Sequence, residues 1–297
     1  YYEFSILGDP VIFYSSLLIV LALIISFVQR GSATSRSAKV SGTPKVPKKI
    51  KLERGGKMLT YGFLGFVIML GLIIPISVLS FWLLRGIYYG NDVSSSLPGI
   101  FGSFSAAIVT SIFAIIISMP IVILISQYKS KFGDIIEKLM LSLYGLPHIA
   151  VGVSILFISV KIFPSIYQSF FALVVSYLIV FIPQAIGGGQ ASMEQVKSSY
   201  IEASLGLGLS KIETFQKITF PLIYRGLFAG GALVFLSTMK ELPQTLLLRP
   251  TEFSTMAVDV WSFASEALFT QAAFSAFILL AISAIPTYIL STRNLTV

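Results

Sequence analysis

Seven long apolar runs, at residues 11–28, 59–84, 101–126, 139–160, 169–186, 222–248 and 271–290, constrain this chain more than any other feature. Each is 18 to 27 residues long, enough for a helix rising about 1.5 Å per residue to cross about 30 Å of hydrocarbon. A membrane barrel would instead show segments of about ten residues with alternating polarity. The expected fold class is therefore an all-α polytopic membrane protein with seven transmembrane helices. Only 11% of residues are charged and the mean hydropathy is +0.88, against about 25% charged in soluble domains. With 0 Cys and 1 His, the chain has neither disulfides nor a Cys/His metal cluster of its own.

The basic residues set the orientation. Between the first two runs lie Arg30, Arg36, Lys39, Lys45, Lys48, Lys49, Lys51, Arg54 and Lys57 against the single acid Glu53, so the positive-inside rule places this stretch in the cytoplasm. Alternating from there leaves only Arg85, Lys161, Lys240 and Arg249 of the 21 Lys and Arg at or towards the outside. Topology thus accounts for the net charge of +8 without nucleic acid. Residues 31–57 read as a Ser/Gly/Pro/Lys linker on an anionic lipid surface. It separates residues 1–30, expected to be the last helix of a preceding bundle, from a six-helix unit at 58–297. Trp82, Tyr88 and Tyr89 fall where an outer aromatic belt belongs. Gly226 and Gly230, four apart, make a face that another helix can approach closely.

The longest ordered-looking polar segment is the inside loop 187–221. Ser199 with Glu202, and Ser210 with Glu213, have the spacing of capping boxes that start two short helices. Gly206 and Gly208 suit a tight turn ending the first, and Pro221 predicts an end to the second near Phe220. Ile201, Leu205, Ile212 and Phe215 give each helix a narrow apolar side. Two readings follow from the residues: a hairpin packed on its own bundle at the interface, or a knob for a socket on a cytoplasmic partner.

Glu202 and Ala203, then Gly208, Ile218 and Pro221 at six, sixteen and nineteen residues beyond the glutamate, resemble the signature loop of binding-protein-dependent ABC importer permeases, the transmembrane subunits of type I importers. Ser204 and Phe220 stand where that pattern usually has Ala and Leu. Downstream, Lys240 to Pro243, the run LLLRP ending at Pro250, Phe253, Ala257, Val260, Trp261, Glu266 and Ala272–Ala273 are similar to the ferric-iron subgroup, whose members commonly fuse two permease halves. The resemblance covers about four fifths of the chain. It implies a multi-pass permease of a bacterial inner membrane whose loop 187–221 couples to a cytoplasmic ATPase dimer. It further implies an extracytoplasmic solute-binding protein and a second permease half, fused or separate. No cofactor is bound directly, and ATP with Mg²⁺ belongs to the partner subunits. The cargo it implies is ferric iron, with molybdate, sulfate, thiamine or another small solute as the alternative. A secondary transporter would need intramembrane acids as coupling sites, and Glu241 is the one candidate.

Lys240 and Glu241 interrupt the run 222–248, and a charge at depth costs at least about 2.5 kcal/mol. With Pro243, they read either as a broken helix lining a translocation path, Glu241 facing a passing cation, or as a helix end at the outer headgroups. His148, with no second His or Cys to complete a metal site, is expected to be a hydrogen-bonded packing residue. No catalytic constellation is present. The pair Gly56–Lys57 has Lys51 where a phosphate-binding loop needs its first Gly and Met58 where it needs Ser or Thr, so ATP is hydrolysed elsewhere.

Overall fold

The computed structural model describes residues 53–127, 131–143 and 145–293, together with Leu17 and Val20. The first apolar run and most of the basic linker therefore lie outside the described residues. What is described is helical, with no strand, as the apolar runs require. Among the described residues, five helices are long and apolar enough to cross a membrane.

The first, Arg54–Tyr88, joins α1 (Arg54–Ile68) to α2 (Ile74–Tyr88) through a π turn at Met69–Ile73. Pro75 explains the wide turn, because it has no amide to give a carbonyl four residues back. The helix begins at Arg54, so the last residues of the expected linker are already helical. α3 is Leu97–Gln127. The fourth expected span, 139–160, is not one helix. α4 (Lys131–Leu143) ends where Pro147 disfavours helical continuation, and α5 (His148–Lys161) then starts anew. At about 1.5 Å per residue α5 extends only about 21 Å, too short to cross alone. α6 follows as Phe170–Met193.

The expected stop before Pro221 is absent. α7 (Ser198–Gly206) leads to α8 (Lys211–Thr214), a π turn at Phe215–Thr219 and α9 (Phe220–Met239), which form one run from Lys211 to Met239. Proline restrains the residue before it but does not forbid helix, and the π turn removes the need for the amide that Pro221 lacks. The same run stops at Met239, so the sixth expected span 222–248 is broken, and α10 (Pro243–Leu248) is separate. α11 (Met256–Ser265), which hydropathy did not reveal, and α12 (Phe269–Arg293) complete the order.

α3, α6 and α9 pack on one another and carry the core. Tyr177, Leu173, Leu227 and Val234 are at most 1% exposed there. The expected glycine face is used: a Cβ on Gly230 would lie 2.8 Å from the Ala185 Cα, and one on Gly188 2.8 Å from the Gly230 Cα. α12 packs along α2, where Trp82 meets Phe269 at 4.7 Å between ring centroids and the Arg85 guanidinium lies 5.7 Å from the Trp82 ring. By contrast the α1 half carries no buried residue.

Candidate functional site

Two groups of expected site residues are brought into view, one at each break in the pattern of simple spans. The first is the polar loop. Ser210 accepts from the Glu213 amide at 3.2 Å and the Glu213 carboxylate accepts from the Ser210 amide at 2.9 Å, closing the expected capping box. The amide of Ser210, then its hydroxyl and then Lys217 hold the Glu213 carboxyl below the usual range. The box expected at Ser199 does not form. α7 starts two residues earlier than that box requires, after Lys197, so Ser199 is inside the helix rather than before it. Gly206 ends α7, and Gly208 takes φ +88°, the left-handed conformation that glycine adopts at least cost.

Glu202, Ala203, Gly208 and Pro221 are exposed and Ile218 is half-buried. Apolar groups stand out beside them: Leu207 is 85% exposed, Ile212 70% and Tyr200 50%. The apolar-side reading found Ile212 but missed Leu207, which sits in the turn where helical periodicity gives no signal. Ser204, a departure from the resembled pattern, is the one buried residue of α7. Its hydroxyl donates to Ile201 O at 2.8 Å and meets Thr214 Oγ1 at 3.0 Å, tying α7 to α8. Sequence spacing could not have found that tie, because its partner lies across the turn.

The second group lies beside the middle of α6. His148 Nδ1 donates to the Glu241 carboxylate at 2.6 Å, joining residues 93 apart in sequence. The imidazole stands edge-on to Phe181, ring centroids 5.4 Å apart. Phe181 is midway along α6, about 17 Å from either end at 1.5 Å per residue. The pair thus stands beside the middle of α6 and away from both of its ends. From this level α5 and α10 run outward side by side, since Gly152 faces Gln244 and Leu247 just as His148 faces Glu241. Phe253 then reaches the outer end of α6 at Phe170.

The freed backbone groups at the break find local partners, as lipid-depth irregularity demands. The Lys240 and Glu241 amides donate to Ser237 O and Thr238 O. Thr245 Oγ1 donates to Glu241 O at 2.6 Å and pairs with Tyr177 OH at 2.6 Å. The Gln244 amide donates to Glu241 Oε1 at 3.2 Å, and Gln244 Nε2 to Ser176 O at 3.3 Å. Pro243 opens α10, where a missing amide costs nothing. Glu241 is only 4% exposed, whereas the His148 side chain is 40% exposed. Lys240 is exposed and makes no ion pair among the described residues. Among the described residues no three His, Cys, Asp or Glu gather as a metal cage.

A family model for the binding-protein-dependent transport system inner membrane component matches residues 101–294. An Fe(3+)-transport system permease protein of Haemophilus influenzae, FbpB 2, is 28% identical over 295 residues, 97% of this chain and 58% of that protein. A molybdate/tungstate transport system permease protein of Methanocaldococcus jannaschii, WtpB, is 28% identical over 149 residues, 48% of this chain and 60% of that one. The chain thus spans about three fifths of the length of these relatives. A structure of the MetNI methionine ABC transporter in inward-facing conformations has a TM-score of 0.54 at 14% identity, covering 66% of this chain and 94% of that one. A second, an amino acid ABC transporter with histidines, has a TM-score of 0.55 at 13% identity, covering 72% and 98%. At such identities the likeness is one of fold. With the family model spanning well over half of the residues, the chain belongs to the binding-protein-dependent transport system inner membrane components.

Proposed function

We propose that this chain is a permease unit of an ATP-driven importer for ferric iron, and the observation that carries the cargo is the likeness to an Fe(3+) permease along 97% of its length. Loop 187–221 is the coupling element. Glu202, Ala203, Gly208, Ile218 and Pro221 frame it, and the exposed Leu207 and Ile212 offer an apolar knob to a cytoplasmic ATPase dimer. ATP with Mg²⁺ is bound and hydrolysed on those partner subunits. An extracytoplasmic binding protein delivers the cargo, and a second permease half completes the path. Because α8 is continuous with α9, a displacement of the docked loop is passed along a rigid rod to Met239 and the break at Lys240–Pro243. That break lines the translocation path, and its outward half-helices α5 and α10 shift as access alternates from one side to the other.

The test is a reconstituted transporter with ATPase and binding protein, assayed for the solute that stimulates ATP hydrolysis and enters the vesicle. Ferric stimulation and uptake are expected. A second reading keeps the architecture and changes the cargo to molybdate or a related small solute, favoured by the molybdate/tungstate relative. Stimulation by molybdate with no response to ferric iron would replace the first reading with the second.

A further inference from the structure

We propose that His148 is the cargo-contacting residue of this chain at mid-depth, presenting its Nε2 to a transition-metal cation, and that Glu241 is a positioning residue that fixes the ring. The proposal rests on the ferric reading above and goes beyond it by naming the atom that meets the cargo. Three observations carry it.

First, Glu241 is out of reach. It is 4% exposed, and its two carboxylate oxygens are engaged by His148 Nδ1 at 2.6 Å and the Gln244 amide at 3.2 Å. A passing cation meets the imidazole in front of it, 40% exposed at the side chain. Second, the ring is prepared as metal-bound histidines are. A carboxylate on Nδ1 fixes the tautomer, orients the ring and leaves Nε2 as the lone-pair donor, and Nε2 has no partner among the described residues. Imidazole suits iron among the transition metals. Third, the exposed side of the ring cannot face lipid. A polar pair at mid-depth faces protein or a wet cavity, and the neighbouring exposed Lys240 enforces the same conclusion.

The poverty of the site fits transport. A path must bind cargo well enough to admit it and weakly enough to release it. One ring, with no cage of three ligating side chains among the described residues, gives a brief contact, and the Lys240 charge shortens it further.

The experiment uses the complete transporter in proteoliposomes, with ATPase subunits, binding protein and both permease halves, measuring ferric uptake and ATP hydrolysis together. His148→Asn places an amide N–H where Nδ1 was, which preserves the bond to Glu241 and deletes Nε2. His148→Gln does the reverse, reaching the Nε2 position and losing the bond. Uptake per ATP should fall about tenfold in His148→Asn, on the scale of losses around metal ligands, and less in His148→Gln. Glu241→Ala should match His148→Asn, while Glu241→Gln, which keeps one acceptor for Nδ1–H but sets its NH2 against the Gln244 amide, should fall between Glu241→Ala and wild type. The double variant His148→Asn with Glu241→Ala should be no worse than His148→Asn, since Glu241 acts through the ring. Wild-type uptake per ATP in His148→Asn, or a better His148→Asn than His148→Gln, would overturn the contact and leave a structural clasp. An additive double variant would overturn the positioning role. Failure of both histidine variants to assemble counts against the proposal too, because a contact residue tolerates the clasp-preserving change. If the wild-type transporter itself moves no ferric iron, the cargo reading fails and the contact with it.

Discussion

Replacing Gly230 by alanine adds one methyl group where two backbones meet. The new Cβ would stand 2.8 Å from both the Cα and the carbonyl oxygen of Ala185 and 3.0 Å from Gln184 O. All three are backbone atoms, so no side chain can swing away. Restoring an ordinary carbon contact of about 3.5 Å requires α9 and α6 to part by about 0.7 Å. A gap of that size forfeits a quarter to a half of each contact across the interface, and overpacking of this kind costs about 1–3 kcal/mol. Helix propensity acts the other way, since Ala in place of Gly within a helix gains up to about 1 kcal/mol. The propensity term is isolated at Gly62, in the middle of α1, where an added Cβ meets nothing within 4 Å. Gly62→Ala is therefore expected to hold or raise the unfolding temperature of the purified protein in detergent, and Gly230→Ala to lower it. A Gly230→Ala protein as stable as Gly62→Ala would refute the close approach of α6 and α9.

Three further outcomes are expected. Ser204→Ala leaves Thr214 Oγ1 without its cross-turn partner in a buried position, which costs about 1–3 kcal/mol. Faster amide exchange across α7 and α8, with the transmembrane helices unchanged, is the readout. Leu207→Asp places a charge on the exposed tip of the loop. Membrane insertion should be normal while co-purification of the ATPase falls at least about tenfold, and full ATPase retention would reject Leu207 as part of the docking knob. Finally, the folded-state pKa of Glu213 is depressed, so its capping contribution is fully present above the ordinary value of 4.5 and is lost as pH falls through the lower folded value. Amide protection at the start of α8 should be flat from pH 8 to about 5 and drop below about 4.5, and Ser210→Ala should lessen that drop without abolishing it, because the amide of residue 210 and Lys217 still face the carboxylate.

What was legible in the sequence was what depends on neighbours along the chain. Hydropathy summed over 20 residues reports partition into lipid, so the all-α membrane class and the spans at Arg54–Tyr88, Ser94–Gln127 and Phe269–Ile289 follow from composition. The Ser210–Glu213 box and the Gly208 turn are likewise local, because a cap or a left-handed residue is decided within four positions. The glycine face of α9 was readable because helical periodicity aligns residues four apart.

The breaks were not readable. An apolar run looks the same whether it is one helix or two, because hydrocarbon sets the summed hydrophobicity and not the backbone path. Whether a helix can stop in mid-membrane depends on who satisfies its freed amides and carbonyls. At Lys240–Pro243 the amides are met by Ser237 O and Thr238 O and the Glu241 carbonyl by Thr245 Oγ1 of α10, a hydroxyl that Tyr177 of α6 holds in turn. The prolines 147 and 221 show the same limit from opposite sides, since one ends a helix and the other sits within a continuous run. A proline's effect is settled by whether the surrounding backbone can rearrange its hydrogen bonds. His148 was read as a hydrogen-bonded packing residue, and its bond to Glu241 and contact with Phe181 agree with that; Glu241 was read either as a group facing the path or as a helix end at the outer headgroups. Only the folded chain, bringing together residues 93 apart, decided that the carboxylate is buried behind the ring and the ring is the exposed partner, because desolvating the acid is affordable solely where a donor on another helix meets it.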